Sequence, residues 1–184
     1  MIDHILRNGL VSMSLDIKKC LSQENVHPEV LECISKSTRM DDALPSYEYL
    51  YSLKDSIPKE LYAYYYRRIL QTNTANVSVE LRLKMFEGVD QKDIMYQDEL
   101  DALNNEFGET ITIYRGAPAS ETFPGLSWTK YKWVAEGSEF NKGKVFMATI
   151  PKSSILLYFA HEEDEGEIIA HVTSGYTVIE EKAT

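Results

Sequence analysis

Gly108-Glu109-Thr110-Ile111-Thr112-Ile113-Tyr114-Arg115-Gly116 decides how the rest of the chain is read. From Thr110 the residues alternate and are rich in β-branched side chains, which marks a strand with one buried face. Gly108 is the point where the period changes. Downstream, Leu126-Ser127-Trp128-Thr129 reads as a short strand, Lys144-Val145-Phe146-Met147-Ala148-Thr149-Ile150 as a longer one stopped by Pro151, and 154–159, 167–172 and 176–179 as three more. Between them, 130–140 reads as a short helix interrupted near Gly137. Upstream of Gly108 the pattern is helical throughout. The expectation is an α+β chain, with a helical region over 1–107 and a compact β-rich part over 108–184 forming one unit together.

The helical part starts with Ile2, Ile5, Leu6, Leu10, Met13, Ile17 and Leu21, spaced three and four apart along one apolar face, with Gly9 as a weak point. Pro28 suits the first turn of a short helix through Ile34, and 35–45 reads as loop. Further helices are expected over 47–53, 79–86 and 98–107. The strongest begins at Pro58, with Ser56 as candidate cap and Glu60 in the first turn. It carries Leu61-Tyr62-Ala63-Tyr64-Tyr65-Tyr66-Arg67-Arg68-Ile69-Leu70. Such a helix is either an aromatic and arginine platform for stacking bases or a packed helix whose Tyr hydroxyls reach water. The acidic composition favours packing.

Over 184 residues the formal net charge is -10, which opposes a protein that grips nucleic acid mainly through its phosphates. Cys20 and Cys33 lie thirteen residues apart without a Cys-x-x-Cys or a partnering His cluster, so they read as buried thiols rather than zinc ligands. His161 and His171 lack partners at ligand spacing, and the glycines at 137 and 143 do not make a phosphate-binding loop. No charged segment leads into an apolar run at the start, and no run approaches the ~18 apolar residues of a membrane span. The expectation is a protein without membrane contact in a reducing cytoplasm, of the producing cell or of an infected host.

The chemistry-bearing residues sit in the β-rich part. In Asp164-Glu165-Gly166-Glu167-Ile168-Ile169 two carboxylates precede a β-branched run. On an extended strand they share a face, roughly 6.5–7 Å apart. Alone this pair is weak evidence, because a solvated acidic loop gives the same letters. Upstream, Arg115 ends its strand before Gly116, and Ser127 and Thr129 flank Trp128, which alternates into the core.

Taken in order, Tyr114-Arg115-Gly116, Gly125-Leu126-Ser127-Trp128-Thr129 and Glu165-Gly166-Glu167-Ile168-Ile169 resemble the Arg, Ser-x-Ser/Thr, Glu-x-Glu signature of mono-ADP-ribosyltransferases of the cholera-toxin-like branch, in its short bacterial or phage form. The resemblance covers roughly 110–180. Trp-Thr follows the Ser here, where the best-known members read Ser-Thr-Ser. It implies a core of two packed sheets with NAD as co-substrate. Arg115, beside Gly116, would take the pyrophosphate bidentately. Ser127 and Thr129 would shape the ribose site, and Glu167 would stabilise the oxocarbenium-like sugar. Glu165 would orient or deprotonate the acceptor, an arginine of a protein target. Tyr158 and Phe159, before the acidic loop, would recognise that target or simply pack. A glycohydrolase with water as acceptor, or a silent interaction module, fits the same letters. The N-terminal helices would cover the cleft, recruit the target or bind a regulator.

Overall fold

The computed structural model describes residues 43–71, 74, 76–122, 125–137, 143–160 and 165–181. The helices expected over 2–21 and 28–34, both cysteines, and His161 with the acidic loop around it lie outside the described residues. The chain divides after Gln97 into two units.

The first unit is helical: α1 (Leu44–Ser52), α2 (Lys59–Leu70), α3 (Val79–Phe86) and α4 (Gln91–Ile94). Pro58 itself occupies the N-cap of α2 with no side-chain cap bond, so Ser56 is not the cap. Glu60 in the first turn and Arg67 and Arg68 in the last complement the helix dipole. Ser78 caps α3 by accepting from the Leu81 amide at 3.1 Å. The short α4 has no apolar period to announce it. It rests on the Asp90 amide donating to Asp93 Oδ2 at 2.8 Å, and on Lys59 paired with Asp93 at 2.6 Å.

The tyrosines of α2 are interior. Tyr62, Tyr64, Tyr65 and Tyr66 are all buried. Tyr66 meets Phe86 edge-on at 4.8 Å and donates to the Arg82 carbonyl at 2.7 Å, and burial holds its phenol well above the ordinary value. Arg67, 3% exposed, stacks on Tyr96 at 4.2 Å. Rings committed this way to packing present no face to nucleobases.

The second unit contains α5 (Gln97–Glu106), whose first residue is the boundary, then β1 (Thr110–Pro118), β2 (Ser127–Thr129), α6 (Lys132–Glu136), β3 (Gly143–Pro151), β4 (Ile155–Phe159), β5 (Glu167–Ala170) and β6 (Tyr176–Glu181). A single 3-10 turn, Lys152–Ser154, joins β3 to β4. Helix α5 groups with the sheet rather than with the helices before it. Its end is tied there by Glu106 to Lys130 at 2.7 Å and by Phe107 against Tyr158.

The strands form one six-stranded antiparallel sheet in the order β4-β5-β2-β1-β3-β6. This corrects the expected two packed sheets among the described residues. The short β2 pairs with β5 on one side and β1 on the other, so hydrogen bonding is continuous across the set. β1 also runs past Gly116 to Pro118, because its pairing with β3 continues through Ala117 opposite Lys144. The mixed helix-and-sheet class stands.

Alternate residues divide the sheet between its faces. Ile113, Trp128, Phe146, Ile168 and Tyr158 are all buried, and a large apolar side chain so placed contributes about 1.5–3 kcal/mol. The row Glu167, Thr129, Tyr114 and Met147, one partner after another across four strands, leaves the other face. Among the described residues no helix is long and apolar enough to cross a membrane.

Candidate active site

Glu167 is the first residue of β5, with Thr129 of β2 opposite it on one side and Phe159 of β4 on the other. Period-two alternation puts Ser127 and Thr129 on the same face of β2, and the structure uses the two hydroxyls differently. Ser127 Oγ donates to Glu167 Oε1, fixing that carboxylate across the strand pair. Thr129 Oγ1 donates to the Glu165 carbonyl at 2.5 Å and accepts from the Tyr131 amide at 3.0 Å. Thr129 is buried, and both its donor and one acceptor position are engaged. A β-branched Thr suits this strand position.

Glu165 does not extend β5 as the sequence pattern implies. It lies in a turn, and Gly166 follows at φ +54. A Cβ on Gly166 would stand 2.9 Å from Lys130 Cγ and 3.0 Å from Tyr131 Cε2. Left-handed backbone and close approach together require glycine. The middle letter of the Glu-x-Glu is therefore specified here. The turn is also pinned through the backbone, where the Lys130 amide donates to the Gly166 carbonyl at 3.2 Å.

Lys130 supports this turn from beneath. Its stem packs on Gly166, and its ammonium donates to Glu106 Oε2 at 2.7 Å and to the Tyr158 hydroxyl at 2.6 Å. Burial works against the charged form, but the bonds to Glu106 and Tyr158 outweigh it and hold the Lys130 pKa above the usual lysine value. Tyr158 is likewise raised, by burial first, with Lys130 opposing.

At the other end, Arg115 of β1 donates from Nη1 to the Ser127 carbonyl at 2.8 Å, and its Nη2 lies 3.3 Å from Glu121 Oε1. Gly125 backs the guanidinium so closely that a Cβ there would sit 3.1 Å from Nη2. Both partners of the ion pair are about a quarter exposed (23% and 25%). Lys144 holds the Glu121 carbonyl at 2.9 Å.

Arg115, Gly116, Ser127, Thr129, Glu165 and Glu167 line one open cleft of about 80 Å³, together with Tyr114, Trp128 and Val134. Arg115 Nε and Trp128 Nε1 are buried donors with no hydrogen-bond partner among the described residues. Unsatisfied buried donors are uncommon in native proteins and call for a reason. The arrangement offers a guanidinium for an anionic group at one end. At the other it offers an oriented carboxylate for developing positive charge, with a second carboxylate beside it.

Tyr158 and Phe159 do not join the cleft. Both are fully buried, at 0% exposure, Tyr158 with its hydroxyl in the Lys130–Glu106 network and its ring edge-on to Phe107 at 5.3 Å. The structure places them in packing, where neither presents a face for stacking on a target. Sequence reasoning passed over Lys130, Gly166 and Glu121. Adjacency to Ser-x-Thr was a signal for Lys130, and a glycine between two carboxylates was a turn signal for Gly166. Nothing in the letters marked Glu121. No group of three or more His, Cys, Asp or Glu among the described residues is arranged to hold a metal ion.

No protein-family model, no curated protein and no solved structure matches the chain.

Proposed function

We propose that the chain is an NAD-dependent mono-ADP-ribosyltransferase acting on a protein side chain, with arginine the first-choice acceptor. The observation that carries the reading is the Ser127 Oγ bond to Glu167 Oε1 inside the cleft that Arg115 also lines. Three stretches far apart in sequence converge there with the chemistry that nicotinamide–ribose cleavage needs.

Arg115 receives the pyrophosphate of NAD, for which a planar guanidinium offers paired donors. The C1′–nitrogen bond breaks, and nicotinamide leaves with the bonding electron pair. The positive charge left on the ribose is stabilised by Glu167, held in register by Ser127, more in the transition state than in the ground state. A guanidine nitrogen of the acceptor attacks C1′ and its proton passes to Glu165. The products are nicotinamide, ADP-ribosylated protein and a proton.

The test is to incubate the purified chain with labelled NAD and a cell lysate, following nicotinamide release and label transfer together. The expected result is both signals from the native chain and neither from Glu167→Gln, with a loss of roughly 10²–10³-fold or more, the scale for removing one preorganised electrostatic group. Glu165→Ala is expected to lose transfer and keep slow release. Wild-type transfer by Glu167→Gln refutes the assignment, and release without transfer by the native chain indicates a glycohydrolase.

A further inference from the structure

The burial of Tyr158 and Phe159 leaves the acceptor side of the cleft without the aromatic face expected there, while another aromatic pair stands beside it. Tyr131 packs against Gly166, the residue between the two cleft carboxylates. Trp133 stacks on Tyr131 with ring centroids 5.8 Å apart and planes 30° from parallel. Trp133 is 62% exposed, against 36–42% for the other exposed large hydrophobic side chains among the described residues. Its helical neighbour Val134 lines the cleft. The exposed indole and the tyrosine beneath it form a stacked aromatic face of the kind enriched where one side is apolar and the other wet.

We propose that Trp133, backed by Tyr131, is the landing face for a guanidinium-bearing segment of the protein acceptor, beside Glu165. The proposal rests on the transferase reading for the identity of its occupant. Charge favours a cation: the chain carries a formal -10, and the nearby ammonium groups are already engaged, Lys132 by Glu136 at 2.6 Å and Lys130 by Glu106 at 2.7 Å. The indole face is the strongest aromatic partner for a cation. The same chain shows the geometry elsewhere, in Arg67 lying 4.2 Å above the Tyr96 ring. Tyr131 links the two, stacking on Trp133 on one side and packing against Gly166, next to Glu165, on the other.

The chain has two tryptophans, and Trp128 is buried, so Trp133 reports on the surface directly. The full chain and each variant are titrated by calorimetry with an arginine-containing hexapeptide, and with the same peptide carrying lysine instead, and indole fluorescence is followed in the native chain. Acceptor KM, NAD KM and nicotinamide release to water are measured in parallel. Trp133→Ala is expected to weaken peptide binding and raise acceptor KM roughly three- to tenfold, with NAD KM and release to water within twofold of the native values. Trp133→Phe is expected to recover most of the loss. Unchanged peptide affinity in Trp133→Ala, equal preference for the lysine peptide, or a parallel fall in nicotinamide release overturns the proposal. So does a concentration-dependent dimer that Trp133→Ala dissolves, which would give the face to a second copy of the chain. Fluorescence quenching by the arginine peptide in a chain that cleaves no NAD supports the surface while refuting the transferase reading.

Discussion

The two ends of the cleft are held by different kinds of bond. At the carboxylate end, Glu167 is fixed by a neighbouring strand's Ser127. The turn before it is fixed by the Thr129 hydroxyl, the Lys130 amide and the tight seat of Gly166. At the guanidinium end, Arg115 is held by one carbonyl and by Glu121, a side chain from the loop between β1 and β2. Buried backbone anchoring resists rearrangement, whereas a part-exposed ion pair is worth only about 0–1 kcal/mol. One end is preorganised. The other exchanges its partner easily, which the proposed function requires of a group that would give up Glu121 for a phosphate.

The sharpest way to break this contrast is Gly166→Ala. A left-handed residue with a side chain costs about 1–2 kcal/mol, and the clash with Lys130 and Tyr131 adds to it. The expected outcome is a kcat for nicotinamide release reduced at least ~10-fold, the equivalent of 1.4 kcal/mol in the barrier. NAD KM should change little, because Arg115 is not touched. An equal loss in both parameters would mean the two ends are not independent.

Lys130→Met comes next. It keeps an aliphatic stem under Gly166 and removes the ammonium, at an expected stability cost of about 1–3 kcal/mol for the orphaned partners, read by denaturant unfolding. The sign with pH follows from the raised Lys130 value. A raised folded-state pKa stabilises fully below the unfolded lysine value of about 10.4 and is lost as pH rises through the folded one. The stability gap between native chain and variant should therefore be flat from pH 6 to 9 and close only in strong alkali.

Glu121→Gln has the smallest expected effect and the opposite direction. Removing the competing carboxylate should lower NAD KM roughly two- to fivefold, from the 0–1 kcal/mol range of an exposed pair, with kcat unchanged. A raised KM would show that Glu121 holds Arg115 in its working position rather than competing for it.

The convergence of the candidate residues was more legible than their setting. Arg115, Ser127, Thr129, Glu165 and Glu167 were named from residue type and order, and the fold brings them to one cleft. β1 emerged from its period because Ile111 and Ile113 are buried while Thr110, Thr112 and Tyr114 between and beside them are not. The single sheet was not legible, because it depends on which partners the three residues of β2 choose, and pairing is not written in a strand's own letters. For Tyr158 and Phe159 target recognition and simple packing were both open, and the structure buries both neighbours, which alternation along β4 does not decide. Glu165 left the strand because the backbone of Gly166 turns left-handed, a property of tertiary fit rather than of spacing.

The brevity of β2 reaches beyond the site. β1 and β3 are zipped along nine residues, while β2, which pairs with β5 along three, meets β1 in register only where Tyr114 faces Thr129. The cleft residues straddle that seam, with Glu167 on one side and Arg115 on the other. Cooperative units separate first where they share the fewest bonds. The seam is thus a built-in fuse: mild heating or denaturant should silence the cleft by parting Glu167 from Arg115 while β1, β3 and β6 are still intact, so loss of activity should precede loss of the sheet's own spectroscopic signal.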